Sequence, residues 1–375
     1  MSSGSDSTTP SSRYAGNRPE ELPPVTPPSA GYIVQLFLIP ALIVMAVVAV
    51  WALFGKLADS ESDWKQLVAE LGSSNEHRRW RAALGIAQLL QNEEITPPTD
   101  REPLAKHPLV VDSLTELFAK AIATTTPTDE DVTHQEFLAR TLGALDADDK
   151  TLPALAEATK DSHNIEVRKS ALMSIATIAG RHFDAATGYS ADAEKSKAGS
   201  AAVRRVPLDS PTIKDPAVLE QLRRSAQDPE PVVRHLAGFS LANVGGPDAM
   251  EQLKAMLLDG DRFARANAAV GLARNGSIES MPAIVELLND SLQPFDWSSV
   301  QGKPETEQRQ AENSFQVEQP QIARNCLRAV NDVWESLNDE QRAELKPVVE
   351  KIASDFFAPD VRIRASELLQ KMNAA

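Results

Sequence analysis

The sequence predicts an all-α chain: a solenoid of stacked helical hairpins, preceded by one apolar helix long enough to span a membrane. Residues 228–246 (DPEPVVRHLAGFSLANVGG) and 259–276 (DGDRFARANAAVGLARNG) repeat each other. In each, an Asp is followed six residues later by an Arg, then by small apolar residues at helical spacing, then by Gly. Self-similarity at about thirty residues marks a helical repeat array, in which no unit buries its apolar face alone. The second observation is the uncharged run over residues 32–55, YIVQLFLIPALIVMAVVAVWALFG. The third is composition: 42% of the chain is hydrophobic but only 5% aromatic, which favours helices packed through small side chains.

The chain opens with a tail, residues 1–31, rich in Ser, Thr and Pro. Pro19, Pro23, Pro24, Pro27 and Pro28 exclude a helix and favour extended conformations. With so few large apolar residues the tail cannot offset its ordering entropy, so disorder is expected. Residues 32–55 then read as a single-pass transmembrane helix. No charge occurs between Glu21 and Lys56, and twenty-four helical residues reach ~36 Å against a hydrocarbon core of ~30 Å. Tyr32 and Trp51 sit where interfacial aromatics belong. A cleavable signal peptide fits poorly: the run is too long, and neither a basic leader nor a small-residue cleavage site flanks it. Arg13 and Arg18 on one side balance Lys56 and Lys65 on the other, so the positive-inside rule leaves orientation open. Cytoplasmic placement of the solenoid is the expectation carried forward.

Residues 56–375 read as about seven units, set in register by arginines. Arg79, Arg168, Arg234, Arg265, Arg324 and Arg362 each open a segment with Ala/Leu periodicity, and a copy near 132–145 keeps the periodicity without the Arg. The segment opened by Arg168 is expected to end at Gly180. Another apolar helix precedes each. Thr151-Leu152-Pro153, Ser280-Met281-Pro282 and Asp215-Pro216 place a capping side chain near a first-turn proline, a helix-start signal. Gly245 and Gly276 fall where a left-handed residue would end a second helix.

These units resemble HEAT repeats, particularly the short bacterial form found in phycobilisome-lyase-like proteins. The resemblance rests on the Asp-x5-Arg-x2-Ala pattern and spans roughly residues 64–372. It implies a right-handed α-solenoid with an Asp/Arg ladder between units. By that likeness Asp161, Asp228, Asp259 and Asp355 would pair with Arg168, Arg234, Arg265 and Arg362 as structural residues. In the first unit Ser73 stands where the Asp would be.

Two insertions interrupt the array, at 181–214 and 291–319, and both are expected as loops. The second carries Phe295, Trp297 and Phe315, candidate partner-binding residues whose competing role is to dock on the solenoid itself.

No chemistry-bearing motif emerges. The six histidines, at 77, 107, 134, 163, 182 and 235, form no His-Glu pair, unlike the iron-binding HEAT hydroxylases. No zinc helix, nucleotide loop or nucleophile elbow is present in the sequence. Cys326, the single cysteine, excludes a disulfide framework and sits on a periodic helix as a small packed residue. The net charge of −15 and the lack of a basic stripe argue against nucleic acid. The expectation is a non-enzymatic scaffold, with no catalytic residue, cofactor or metal. It would offer a concave face, built from each unit's second helix, to a protein partner at a membrane. Two other readings stay open: a chromophore-lyase-like or cofactor-handling enzyme, and a structural subunit of a membrane-associated assembly.

Overall fold

The computed structural model describes residues 31, 38–50, 64–99, 101–188 and 207–374. The chain divides into two units, residues 1–62 and 63–375. In the first, residue 31 and residues 38–50 are helical, and the latter expose a run of apolar side chains including Leu42, Ile43 and Val47. Among the described residues no helix is long and apolar enough to cross a membrane. The rest of the predicted span, 32–37 and 51–55, lies outside the described residues, as does the tail over 1–30.

Among the described residues the second unit is built from helices paired in seven hairpins, with no strand. The first three pairs are α1 (Trp64–Leu71) with α2 (Glu76–Ile95), α3 (Pro108–Ile122) with α4 (Asp129–Gly143), and α5 (Asp148–Ala158) with α6 (Ile165–Thr187). The next two are α7 (Pro216–Ser225) with α8 (Pro231–Val244) and α9 (Gly246–Met256) with α10 (Arg262–Arg274). The last two are α11 (Met281–Ser291) with α12 (Glu305–Val333) and α13 (Asp339–Asp355) with α14 (Pro359–Ala374).

Local chemistry sets the boundaries. Thr128 closes a capping box with Asp131 at the start of α4, and Asn338 does the same with Gln341 at α13. The Asp215 side chain accepts the Ala217 N–H at 2.8 Å, ahead of Pro216 in the first turn of α7. Gly245 and Gly276 have φ of 67° and 79°, a conformation that costs any side-chain-bearing residue. The core, mostly Leu, Ile, Val and Ala, forms two clusters that meet at α10. Ala264, Ala268 and Leu272 face one cluster, and Ala266, Ala269 and Ala273 face the other. A helix this rich in small residues can be flanked closely on both sides.

The arginines make a repeating set of contacts, and their partners differ from those expected. Arg79, Arg168, Arg234, Arg265 and Arg362 are each the fourth residue of their helix. Four of them reach back six residues to a main-chain carbonyl. Arg79 donates to Ser73 O at 2.9 Å, Arg234 to Asp228 O at 2.9 Å, Arg265 to Asp259 O at 2.8 Å and Arg362 to Phe356 O at 2.6 Å. Where one of these guanidinium groups meets a carboxylate, that carboxylate belongs to the following unit. Arg168 pairs with Asp228, and Arg234 grips Asp259 at 2.8 and 2.9 Å. Asp228 and Asp259 turn away from their own arginines because one carboxylate oxygen accepts the N–H two residues on, Glu230 at 2.9 Å and Asp261 at 2.7 Å. Asp161 and Asp355 lie seven residues before Arg168 and Arg362, not six; both are exposed, and neither pairs with an arginine among the described residues. Arg324 instead meets Asp360 at 2.6 Å, and Arg265 approaches Glu286 at 3.6 Å.

Three expected boundaries also move. Helix α6 passes through Gly180 and ends at Gly188, so the insertion over 181–214 begins as helix. There Phe183 is buried and Arg181 bonds Gly143 O and Leu145 O at 2.7 and 2.6 Å. Residues 189–206 lie outside the described residues; beyond them Thr212 N donates to Val244 O at 2.9 Å and Ile213 is buried. Helix α5 starts at Asp148, leaving Pro153 inside it. Most of the predicted loop over 291–319 is helix as well, since α12 starts at Glu305 and carries Pro320 in its interior. Its Glu, Gln, Arg and Ala residues are strong helix formers however polar they are.

Candidate functional site

Four second helices, α2, α4, α6 and α8, line a groove of about 900 Å³. Their small or capping residues hold them side by side. Gly143 packs on Ser174, and the Ser240 hydroxyl donates to Leu172 O at 3.0 Å across the α8–α6 contact. The groove wall is apolar: Leu90, Pro97, Pro103, Ala105, Met173, Val232 and Leu236 contribute to it. Met173 is 42% exposed, unusual for a methionine at mid-helix with buried neighbours on either side.

The groove's charged residues are largely matched to one another. Glu93 holds Arg101, Lys106 meets Asp146 at 3.2 Å, Arg140 holds Glu136 and Lys169 meets Glu166 at 2.7 Å. Arg181 is spent on two carbonyls. His235, whose ring lies 5.7 Å from that of Phe263, is held below the usual histidine range by burial. A ligand entering here meets methyl and methylene groups between compensated ion pairs, which suits an apolar surface better than a charged one.

The three aromatic candidates come together away from this groove. Phe295 contacts Trp297 edge-on at 5.0 Å and Phe315 at 5.4 Å between ring centroids. Phe295 and Phe315 are half-buried, while Trp297 is 51% exposed. The rings therefore pack on each other, joining the 3-10 turn at Trp297–Val300 to the first half of α12.

Sequence spacing could not reveal one cluster, because its members lie on different helices. Ligand atoms of Glu76, Asp131 and His134 fall within 4.8 Å of one another. Two of them are already engaged. The Trp80 indole N–H donates to His134 Nδ1, and Asp131 accepts from the Thr128 N–H and hydroxyl at 2.8 and 2.7 Å. Burial holds His134 below its ordinary pKa. Such a set explains itself as helix capping and ring packing. Cys326 is fully buried and its thiol is pushed up to about 12, too high to supply a thiolate nucleophile.

Residues 210–296 match the family model of HEAT repeats. Solved structures similar to this chain include an engineered protein at 17% identity and a TM-score of 0.33, covering 84% of this chain and 97% of that one. A designed armadillo repeat protein in complex with the peptide (KR)4 is 14% identical at a TM-score of 0.34, covering 83% of this chain and 100% of its own. Human deoxyhypusine hydroxylase in complex with glycerol is 16% identical at 0.27, covering 86% and 99%. No curated protein sequence matches the chain. The described helices form an array of stacked hairpins, and within it residues 210–296 match HEAT repeats.

Proposed function

We propose that this chain is a membrane-anchored scaffold whose groove over α2, α4, α6 and α8 takes up an apolar segment of a protein partner. The observation that carries this is the groove itself, about 900 Å³ with an apolar wall and most of its flanking charges paired within the chain. Apolar contact area at a fixed, preformed surface supplies affinity with little ordering cost. The anchor rests on the uncharged stretch over 32–55 and on the helical, apolar and exposed residues within it, 38–50. Tethering would raise the groove's effective concentration toward other membrane components.

A photo-crosslinking amino acid at Thr177, in the groove, is compared in intact membranes with one at Glu157, on α5 away from it. A discrete adduct from position 177, weakened by Met173→Glu and missing from position 157, is the expected result. Equal adducts at both positions, or none at 177, would sink the groove. Carbonate extraction of the full chain tests the anchor separately, with retention in the pellet expected.

A further inference from the structure

The ladder's regularity singles out its first rung. Arg79 occupies the same helical position as Arg168 and Arg234 and makes the same backward bonds as Arg234, to Ser73 O at 2.9 Å and Ser74 O at 3.2 Å. Those other two arginines then hold the aspartate two residues before the next second helix's cap, Asp228 before Glu230 and Asp259 before Asp261. In the second unit the cap is Thr128, which puts Thr126 at the aspartate's position. Among the described residues Arg79 has no carboxylate partner, although its side chain is half-buried.

A cleft of about 430 Å³ opens at this rung, lined by Arg79, Trp80, Leu117, Thr124, His134 and Gln135 among others. The acidic groups beside it are mostly committed elsewhere. Asp131 is taken by Thr128, and Glu116 pairs with Lys120 at 2.7 Å. Glu76, the remaining one, is exposed and lies 3.9 Å from His134 Nδ1. Arg79 therefore presents guanidinium donors into a recess walled by an indole and a leucine.

We propose that this cleft binds a carboxylate on a short apolar stem, gripped by Arg79 where the ladder lacks its own aspartate. The rung at Arg234 supplies the geometry, two parallel N–H···O bonds of 2.8 and 2.9 Å from Nε and Nη2. Arginine suits that two-point contact where lysine does not. The site lies apart from the apolar groove, whose lining residues it does not share.

The test is thermal unfolding of the full chain in detergent, followed by circular dichroism, in sodium propionate against sodium chloride at equal ionic strength. Propionate raises Tm by about 1–3 °C in a saturable way, as a ligand of the native state must. Arg79→Gln removes the response. Thr126→Asp supplies the missing carboxylate from within the chain, raising Tm without propionate and abolishing the propionate shift. Because Thr126 is exposed, that variant tests the site without endangering the fold. No shift in the parent chain, an equal shift in Arg79→Gln, or an undiminished shift in Thr126→Asp would each overturn the proposal. N-acetylalanine and the amide of N-acetylaspartate, replacing propionate, distinguish a chain terminus from an acidic side chain as the natural source.

Discussion

Arg234 ties two repeat units together by serving both at once: its Nε and Nη2 hold the Asp259 carboxylate at 2.8 and 2.9 Å, while its Nη1 holds the Asp228 carbonyl at 2.9 Å. The pair is largely removed from water, with the arginine side chain 18% and the aspartate 10% exposed. The hydrogen bonds from Arg234 hold Asp259 below the usual carboxylate range.

Arg234→Ala leaves a mostly buried carboxylate without its cation, and a loss of about 2–4 kcal/mol is expected. The comparison is Arg309→Ala, which breaks the exposed pair with Glu305 at 2.5 Å and should cost less than about 0.5 kcal/mol. Chemical denaturation of both variants is the measurement. Similar losses would mean that the ladder contributes no more than a surface pair. Asp259 also predicts a pH dependence. Its folded pKa is depressed, so its contribution is full above the ordinary value of about 3.9 and is lost as pH falls through the lower folded value. Asp259→Asn should flatten that acid limb.

The same residues show what a sequence discloses. Asp228 and Asp259 were legible as ladder members because they stand six residues before an arginine that is itself the fourth of its helix. Asp161 and Asp355 looked alike but stand seven before theirs, and a one-residue slip on a tight corner points the side chain to solvent. The direction of pairing was not legible at all. It depends on the short turns at Glu230 and Asp261, which rotate each carboxylate toward the preceding unit. The concave groove follows from stacking the periodic second helices, but Met173 stands out only once its neighbours are in place. The Trp80–His134 contact joins residues 54 apart, and no local pattern announces it.

Three histidines predict instability in mild acid. Burial depresses the pKa of His134, His163 and His235. A depressed histidine favours the fold above its unfolded pKa, about 6.5, and that contribution disappears as pH falls through the folded value. Stability should therefore begin to decline as pH drops below about 6.5, well before the carboxylates titrate. His235→Phe preserves an aromatic ring against Phe263 and should shrink this part of the decline. An unchanged pH profile in that variant would show that His235 does not contribute to it.

Gly271 marks a close approach of α8 and α10. A Cβ built there would lie 2.5 Å from the Cβ of Ala242 and 3.2 Å from Leu253 Cδ1. The residue is helical, so alanine would ordinarily gain up to about 1 kcal/mol in propensity. Here the contact with a neighbouring helix outweighs that gain, and Gly271→Ala should destabilise by about 1–3 kcal/mol. Gly260→Ala is the control, since nothing lies within 4 Å of its Cβ position. A stabilised Gly271→Ala protein would mean that the helices separate without cost.

Helix α12 should behave as two segments divided near Pro320. From Glu305 to Glu318 no residue is buried, and the ties of this half to the rest include the ring contact of Phe315 with Phe295, a hydrogen bond from Gln308 to Lys303 O and main-chain bonds from Glu307 and Gln308 to Pro304 O. At Gln319 the helix enters the core, fixed by a 2.8 Å bond from Arg262, and Ile322, Ala323, Cys326 and Leu327 are buried beyond it. Pro320 donates no amide hydrogen, so the ladder of helical bonds is already interrupted at the boundary. Local opening follows burial, and the first half should therefore open far more often than the second. Hydrogen exchange is expected to show amides 309–317 exchanging at least ~10-fold faster than 322–330. Phe315→Ala should accelerate the first set alone, while Trp297→Ala, with a ring 51% exposed, should shift Tm by no more than about 1 °C. Uniform protection along all of α12 would show that the aromatic trio binds the outer half as firmly as the core binds the inner one.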